Sequence, residues 1–232
     1  YKQGKLIDAV EHHHQAALVA KGKGNYRKGL VSVHDGLNIL SKVLEPLKEI
    51  ELRLVQLTLL KACHGWASPP IKTTLVSISA LCKKSHEHPS IRAVIFNQWL
   101  IKLMALELDE ALQLAKELNK LSRRKKDQCA EVHSLSALSN TLFWQGRFNE
   151  SIESANKALL LHLPSFQQRD LSEFGQDPRI VAHLFLVLSA SLKGEEDLAR
   201  QGLRDMQTIC HKISSPFTEA IAMQGYTFFH YH

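Results

Sequence analysis

No stretch of this sequence is long and apolar enough to cross a bilayer. The longest candidate, Ile180 to Leu192, is interrupted by His183 and falls short of the roughly 20 residues a spanning helix needs. No secretory signal opens the chain either: Tyr-Lys-Gln-Gly-Lys leads straight into an amphipathic segment,. The absence of an initial Met marks the chain as an expected piece of something longer. Cysteine is sparse and scattered at Cys63, Cys82, Cys129 and Cys210, with no CxxC pair, which suits reduced thiols in a cytoplasmic protein better than a disulfide framework. Catalytic signatures are missing as well. No GxxxxGK precedes a Ser or Thr to cradle phosphate, and GxSxG, HExxH and kinase motifs do not occur, so neither an enzyme nor a cofactor is expected. With 11 Gly and 7 Pro among 232 residues, disordered and low-complexity classes do not fit,.

What is present is an ordinary mixture, 44% hydrophobic and 22% charged, with a net charge of +6. Such an excess suits acidic partners or nucleic acid. It is concentrated in Arg123-Arg124-Lys125-Lys126 and Lys83-Lys84, however, each at the expected end of a helix, where cations meet the negative end of the macrodipole. No aromatic residues interleave with them, so solvated helix termini are favoured over a nucleic-acid patch.

Helical periodicity fills most of the chain. Leu6, Ala9, Val10, His13, Ala17 and Ala20 recur at three- and four-residue spacing, predicting a helix over 5–21. A second is expected over 26–44, and Pro46 then opens a third. Pro69 to Lys84 reads as the next, followed by one beginning at Pro89 whose buried face would carry Ile91, Val94, Ile95, Trp99, Leu103 and Leu106. Glu107 to Arg124 comes next, and then two helices divided by Gly146. The one long connection, His162 to Gln176, has no clear period and ends at Asp177-Pro178, a strong start signal. Two helices divided by Gly194 follow, and Ser215-Pro216 begins a last one, left without a partner.

The breaks repeat. They fall at Gly24, Gly65, Leu106, Gly146 and Gly194, and the interval is roughly 40 residues until the last, which the long connection stretches. Five positions after each stands a small or tight residue, Gly29, Pro70, Ala111, Ser151 and Ala199, as expected where the two helices of a hairpin come closest. Such a period, with two helices per unit, points to an all-α solenoid of antiparallel hairpins in a single domain over 1–232.

Residues 136–161 resemble a tetratricopeptide repeat (TPR). Leu138, Gly146, Phe148, Ile152, Ala155 and Ala158 fall on signature positions, while Ser139 and Ser151 replace the usual Gly and Ala. The order of further features, from Ala9-Val10-Glu11 and Asn25-Tyr26 through His64-Gly65-Trp66 and Asn140-Thr141-Leu142-Phe143-Trp144-Gln145-Gly146 to Phe174-Gly175-Gln176-Asp177-Pro178, is similar to the C-terminal helical-repeat region of multidomain signalling ATPases of the STAND class. The resemblance covers essentially the whole chain. It implies a TPR-like right-handed superhelix and a non-catalytic sensor or interaction arm, coupled to an upstream ATPase and to a nucleotide cyclase, kinase or DNA-binding effector. Two departures stand out: His12-His13-His14 in place of a more aromatic stretch, and Leu106 in place of a turn glycine, which would make that turn tighter or more helical.

The same resemblance implies that Asn140, Phe143 and Trp144 lie on the helix lining the concave surface, with Asn140 at a position that contacts peptide backbone. The alternative is that both pack between units, which is the favoured reading for Phe143 and an equal one for Trp144. Gln176 and Asp177 are candidates because polar residues on a loop held by a rigid scaffold often carry function; Asp177 also reads as a helix cap. Metal sites are not expected. Neighbouring imidazoles in His12-His13-His14 point about 100° apart on a helix, and His86 with His88 lacks a third ligand nearby. The expected partner is a protein, a peptide or a small inducer. An alternative is an oligomerisation scaffold, self-associating through an exposed C-terminal face of Phe217, Ile221, Tyr226 and Phe229.

Overall fold

The structure, a computed structural model, describes residues 2–65, 68–84, 90–212 and 216–231, and every regular element among them is helical. The turn at Trp66 and Ala67, the His86 and His88 pair, Pro89 and Ser215 lie outside the described residues, as does the side chain of Phe217. The chain forms two compact units, Tyr1–Val94 and Ile95–His232. No helix is long and apolar enough to cross a membrane among the described residues.

The first unit holds α1 (Lys2–Gly22), α2 (Tyr26–Leu40), α3 (Pro46–His64) and α4 (Pro69–Lys84). Val10 and Ala17 of α1, Val33 and Leu40 of α2, and Leu52, Val55 and Leu59 of α3 make its core. Gly36 explains how α2 lies so close to its neighbours: a Cβ there would come 2.7 Å from a Leu52 methyl and 3.3 Å from the His13 Cβ. Helix α2 stops at Leu40, short of the expected Leu44, which is 95% exposed. Past Leu40 the N–H groups of Lys42 and Val43 bond to the carbonyls of Ile39 and Leu40, three residues back, and Pro46 then keeps Glu45 out of helical backbone, with ψ 75°,.

Helix α5 (Ile91–Met104) begins just before the second unit, which continues with α6 (Leu108–Arg124), α7 (Gln128–Trp144) and α8 (Phe148–Leu161). The connection 162–177 contains a 3-10 turn (Pro164–Phe166), a short helical turn α9 (Gln167–Arg169) and a π-helical turn (Asp170–Phe174). Then come α10 (Pro178–Lys193), α11 (Glu196–Lys212) and α12 (Pro216–Tyr231). Helices α7 and α10 are buried nearly all round, as a helix enclosed by others must be. Hydroxyls link both to α8: Ser189 of α10 donates to Ser151 Oγ of α8 at 3.0 Å, and Ser151 to the Ser139 carbonyl of α7 at 2.8 Å. These short side chains bring the backbones close and leave no hydroxyl of the three unpaired. No second helix of its own hairpin follows α12 among the described residues, and it packs instead on the hairpin before it. Ile221, Tyr226 and Phe229 are half-buried against the core of α10 and α11, and the Tyr226 hydroxyl donates to the Leu203 carbonyl at 3.1 Å.

All five breaks have positive φ, of 71°, 78°, 59°, 73° and 75° at Gly24, Gly65, Leu106, Gly146 and Gly194, although Gly65 is extended at ψ 171°. The Leu106 turn is therefore neither tighter nor more helical than the rest; Leu106 takes a glycine's conformation and is 71% exposed, outside the buried face expected for it. Four of the five small residues after the breaks are buried, Gly29, Ala111, Ser151 and Ala199. Pro70 is exposed, and its neighbour Ile71 takes the buried position.

Candidate functional site

Of the five residues singled out in sequence, Trp144 alone is exposed, at 53%; Asn140, Phe143, Gln176 and Asp177 are buried. Asn140 and Trp144 sit one turn apart at the C-terminal end of α7, and the Asn140 Oδ1 is buried without a hydrogen-bond partner. Phe143 packs against Phe185, Phe148 and the edge of Trp144 at centroid distances of 5.4, 5.8 and 5.3 Å, which makes it a core residue. Asp177 caps α10: its Oδ1 accepts from the Arg179 N–H at 2.9 Å, and its Oδ2 from Arg179 Nη2 at 2.6 Å. Gln176 lies beside it at 7% exposure.

A groove of 570 Å³ lies elsewhere in the same unit, floored by Leu135, Leu138 and Leu142 of α7 and walled by α6 and α8, with Lys116, Arg123 and Glu150 on its sides. At 100° per residue those leucines are on roughly the opposite side of α7 from Trp144. The two surfaces are separate.

A third feature was not singled out in sequence. Cys129 and His133, one turn apart on α7, meet Asp170 of the π-turn, and their three donor atoms lie within 4.8 Å of one another, the one such group among the described residues. His133 Nε2 stands 2.9 Å from Asp170 Oδ1, His162 Nε2 stands 3.0 Å from Oδ2, and the Cys129 thiol donates to Oδ1 over 3.4 Å. The side chains of His133, His162 and Asp170 are 0, 2 and 1% exposed, and Cys129 is 2% exposed. Phe174 stacks on the His133 ring at 3.9 Å, and Phe96 meets both edge-on.

Electrostatics follow from this burial. Desolvation works against the Asp170 carboxylate, but the hydrogen bonds from His133 and His162 outweigh it and hold the acid at about 2,. Burial pushes the His133 imidazolium down, against the pull of Asp170. Burial likewise pushes the Cys129 thiol up, and the Asp170 charge adds to it. The resting cluster is thus built around one buried carboxylate that accepts from its neighbours.

The local chain explains the assembly. Asp127 caps α7, and its carboxylate also receives Arg169, fixing the connection beside the first turn of α7. The Gly175 N–H then reaches back to the Asp170 carbonyl at 2.9 Å, closing the π-turn, and Gly175 turns left-handed at φ 79°. A single π-turn of this kind is rare and is frequent at functional positions. The signal available in sequence was the i, i+4 spacing of Cys129 and His133.

Comparison with known proteins finds neither a matching family model nor a matching curated sequence.

Proposed function

We propose that this chain is a non-catalytic binding module, a TPR-like solenoid that offers a peptide or partner protein a surface on the first helices of its hairpins and couples occupancy to an ATPase and effector in the same polypeptide. The carrying observation is the pair on α7: a half-exposed indole at Trp144, one turn from the partnerless Oδ1 of Asn140. The indole face supplies contact area, and the buried Asn140 oxygen lacks an N–H donor, which a peptide backbone provides once the amide turns outward. The regular recurrence of positive-φ breaks along the chain supports the solenoid,. Coupling works by population shift, occupancy favouring one state of the attached ATPase.

A random peptide display library panned against the full chain tests the surface. Selected peptides should lose at least tenfold in affinity on Trp144→Ala and keep it on Lys116→Glu in the opposite groove. Retained binding to Trp144→Ala would remove the assignment. The coupling requires a P-loop module in the same gene, and a gene without one overturns that half of the reading.

A further inference from the structure

We propose that Cys129, His133, His162 and Asp170 form a structural site for a divalent transition metal of zinc's class. This inference is independent of the peptide-binding surface and concerns the inside of the same unit.

The donor set is the first argument. A thiol, two imidazoles and a carboxylate are ligands that Zn2+ takes in closed, four-coordinate sites. Two come from one face of α7 at i, i+4 spacing, one follows the end of α8 at His162, and one comes from the π-turn at Asp170. Tetrahedral bonds of about 2.0 to 2.3 Å put neighbouring donor atoms roughly 3.3 to 3.8 Å apart. Cys129, His133 and Asp170 already place their donor atoms within 4.8 Å of one another, with His133 and Cys129 at 2.9 and 3.4 Å from Asp170 Oδ1; His162, at 3.0 Å from the other oxygen, lies outside that group and must swing in to complete the set.

Charge is the second. The ion pairs of Asp170 among the described residues are with His133 and His162 alone, so no Lys or Arg pairs with the buried carboxylate. A divalent ion with one thiolate and one carboxylate makes a neutral site, the arrangement a dry interior favours.

The proton balance closes. On metal entry the Cys129 thiol gives up its proton to solvent and its sulfur bonds the ion. Each imidazole must present the Nε2 lone pair to the ion, so a proton held at Nε2 moves to Nδ1 or leaves to solvent. For His133 the resulting Nδ1–H is buried without an acceptor, a cost that the bond from Nε2 to the metal must outweigh. Four protein donors in a closed pocket leave no position for substrate, so the role is structural: the metal fastens the connection 162–174 to α7, where the chain departs from its repeat.

The full chain, stripped with a chelator and titrated with Co2+, tests this. A tetrahedral cobalt spectrum with a thiolate-to-metal charge-transfer band should saturate at one equivalent and vanish on adding Zn2+, and Zn2+ should raise the thermal midpoint. Cys129→Ser should abolish the charge-transfer band, and His162→Gln should weaken Co2+ binding about tenfold or more. If both variants fail to fold by circular dichroism, the wild-type spectrum decides. No charge-transfer band in the wild type overturns the proposal. So does a weak six-coordinate spectrum, which reports surface imidazoles, or a band that survives in folded Cys129→Ser, which places the metal on another cysteine.

Discussion

Asp127 and Arg169, far apart in sequence, meet through two parallel hydrogen bonds, Nη1 to Oδ1 at 2.6 Å and Nη2 to Oδ2 at 2.7 Å. The same carboxylate accepts from the Ala130 N–H at 3.1 Å, so it serves at once as helix cap and as anchor for the connection. Arg169 is a third exposed, and solvent screens part of the attraction. Arg169→Ala should lower stability by about 1 to 2 kcal/mol. Arg169→Lys should recover less than half of that, since an ammonium cannot fork onto both oxygens. Urea midpoints of the three proteins check it; equal midpoints for Arg and Lys would mean the fork contributes nothing.

Leu106 holds a left-handed backbone at φ 59° while 71% exposed. Its side chain therefore contributes little packing, and a branched residue in that region is strained by about 1 to 2 kcal/mol. Leu106→Gly removes the strain at some cost in unfolded-chain entropy. The expected net gain is about 0.5 to 1 kcal/mol, a rise of roughly 1 to 4 °C in thermal midpoint for a chain of this size. A lower midpoint would show that the leucine makes contacts that offset its backbone.

That turn was legible in sequence because spacing alone marks it: a break was due one period after Gly65, and the chain supplies one there without a glycine. Ala111, Ser151 and Ala199 were legible for the same reason, since a hairpin needs small residues at its closest approach. The cluster of Cys129, His133, His162 and Asp170 was not. Cys129 and His133 lie on a helix buried nearly all round, where periodicity says only that they are inside. His162 and Asp170 belong to a segment without a period, and the long separation between Cys129 and Asp170 is closed only by folding. Phe143 illustrates the converse, because no helical stripe separates core from surface on such a helix.

Gly202 of α11 faces α10 so closely that a Cβ would come 2.7 Å from a Val187 methyl and 3.1 Å from a Leu186 methyl. Alanine is the better helix former by about 1 kcal/mol, but overpacking against a stiff β-branched side chain costs about 1 to 3 kcal/mol. Gly202→Ala should therefore be destabilising by about 1 kcal/mol on balance. Combining it with Val187→Ala makes room for the new methyl. The double variant should thus be less damaged than the sum of the two single ones, and strict additivity would mean the methyls do not meet.

Lys61 stands in the last turn of α3, half-buried. Burial first, and the like charge of Lys21 second, push its ammonium down to about 8 from the ordinary 10.5. Because the folded value is below the unfolded one, the charged form is penalised in the fold. That penalty is fully present below pH 8 and is relieved as pH rises towards 10.5, where the unfolded chain binds more protons than the folded one,. Stability should accordingly gain about 1 to 3 kcal/mol from this group across that window. Cysteines and tyrosines titrate there too, so the comparison with Lys61→Met isolates the effect. The variant should be more stable than wild type at pH 7 by a similar amount, and the difference should shrink towards pH 10. A difference in urea midpoint that stays constant from pH 7 to 10 would show that Lys61 keeps an ordinary proton affinity and that its burial is relieved by solvent at the helix end.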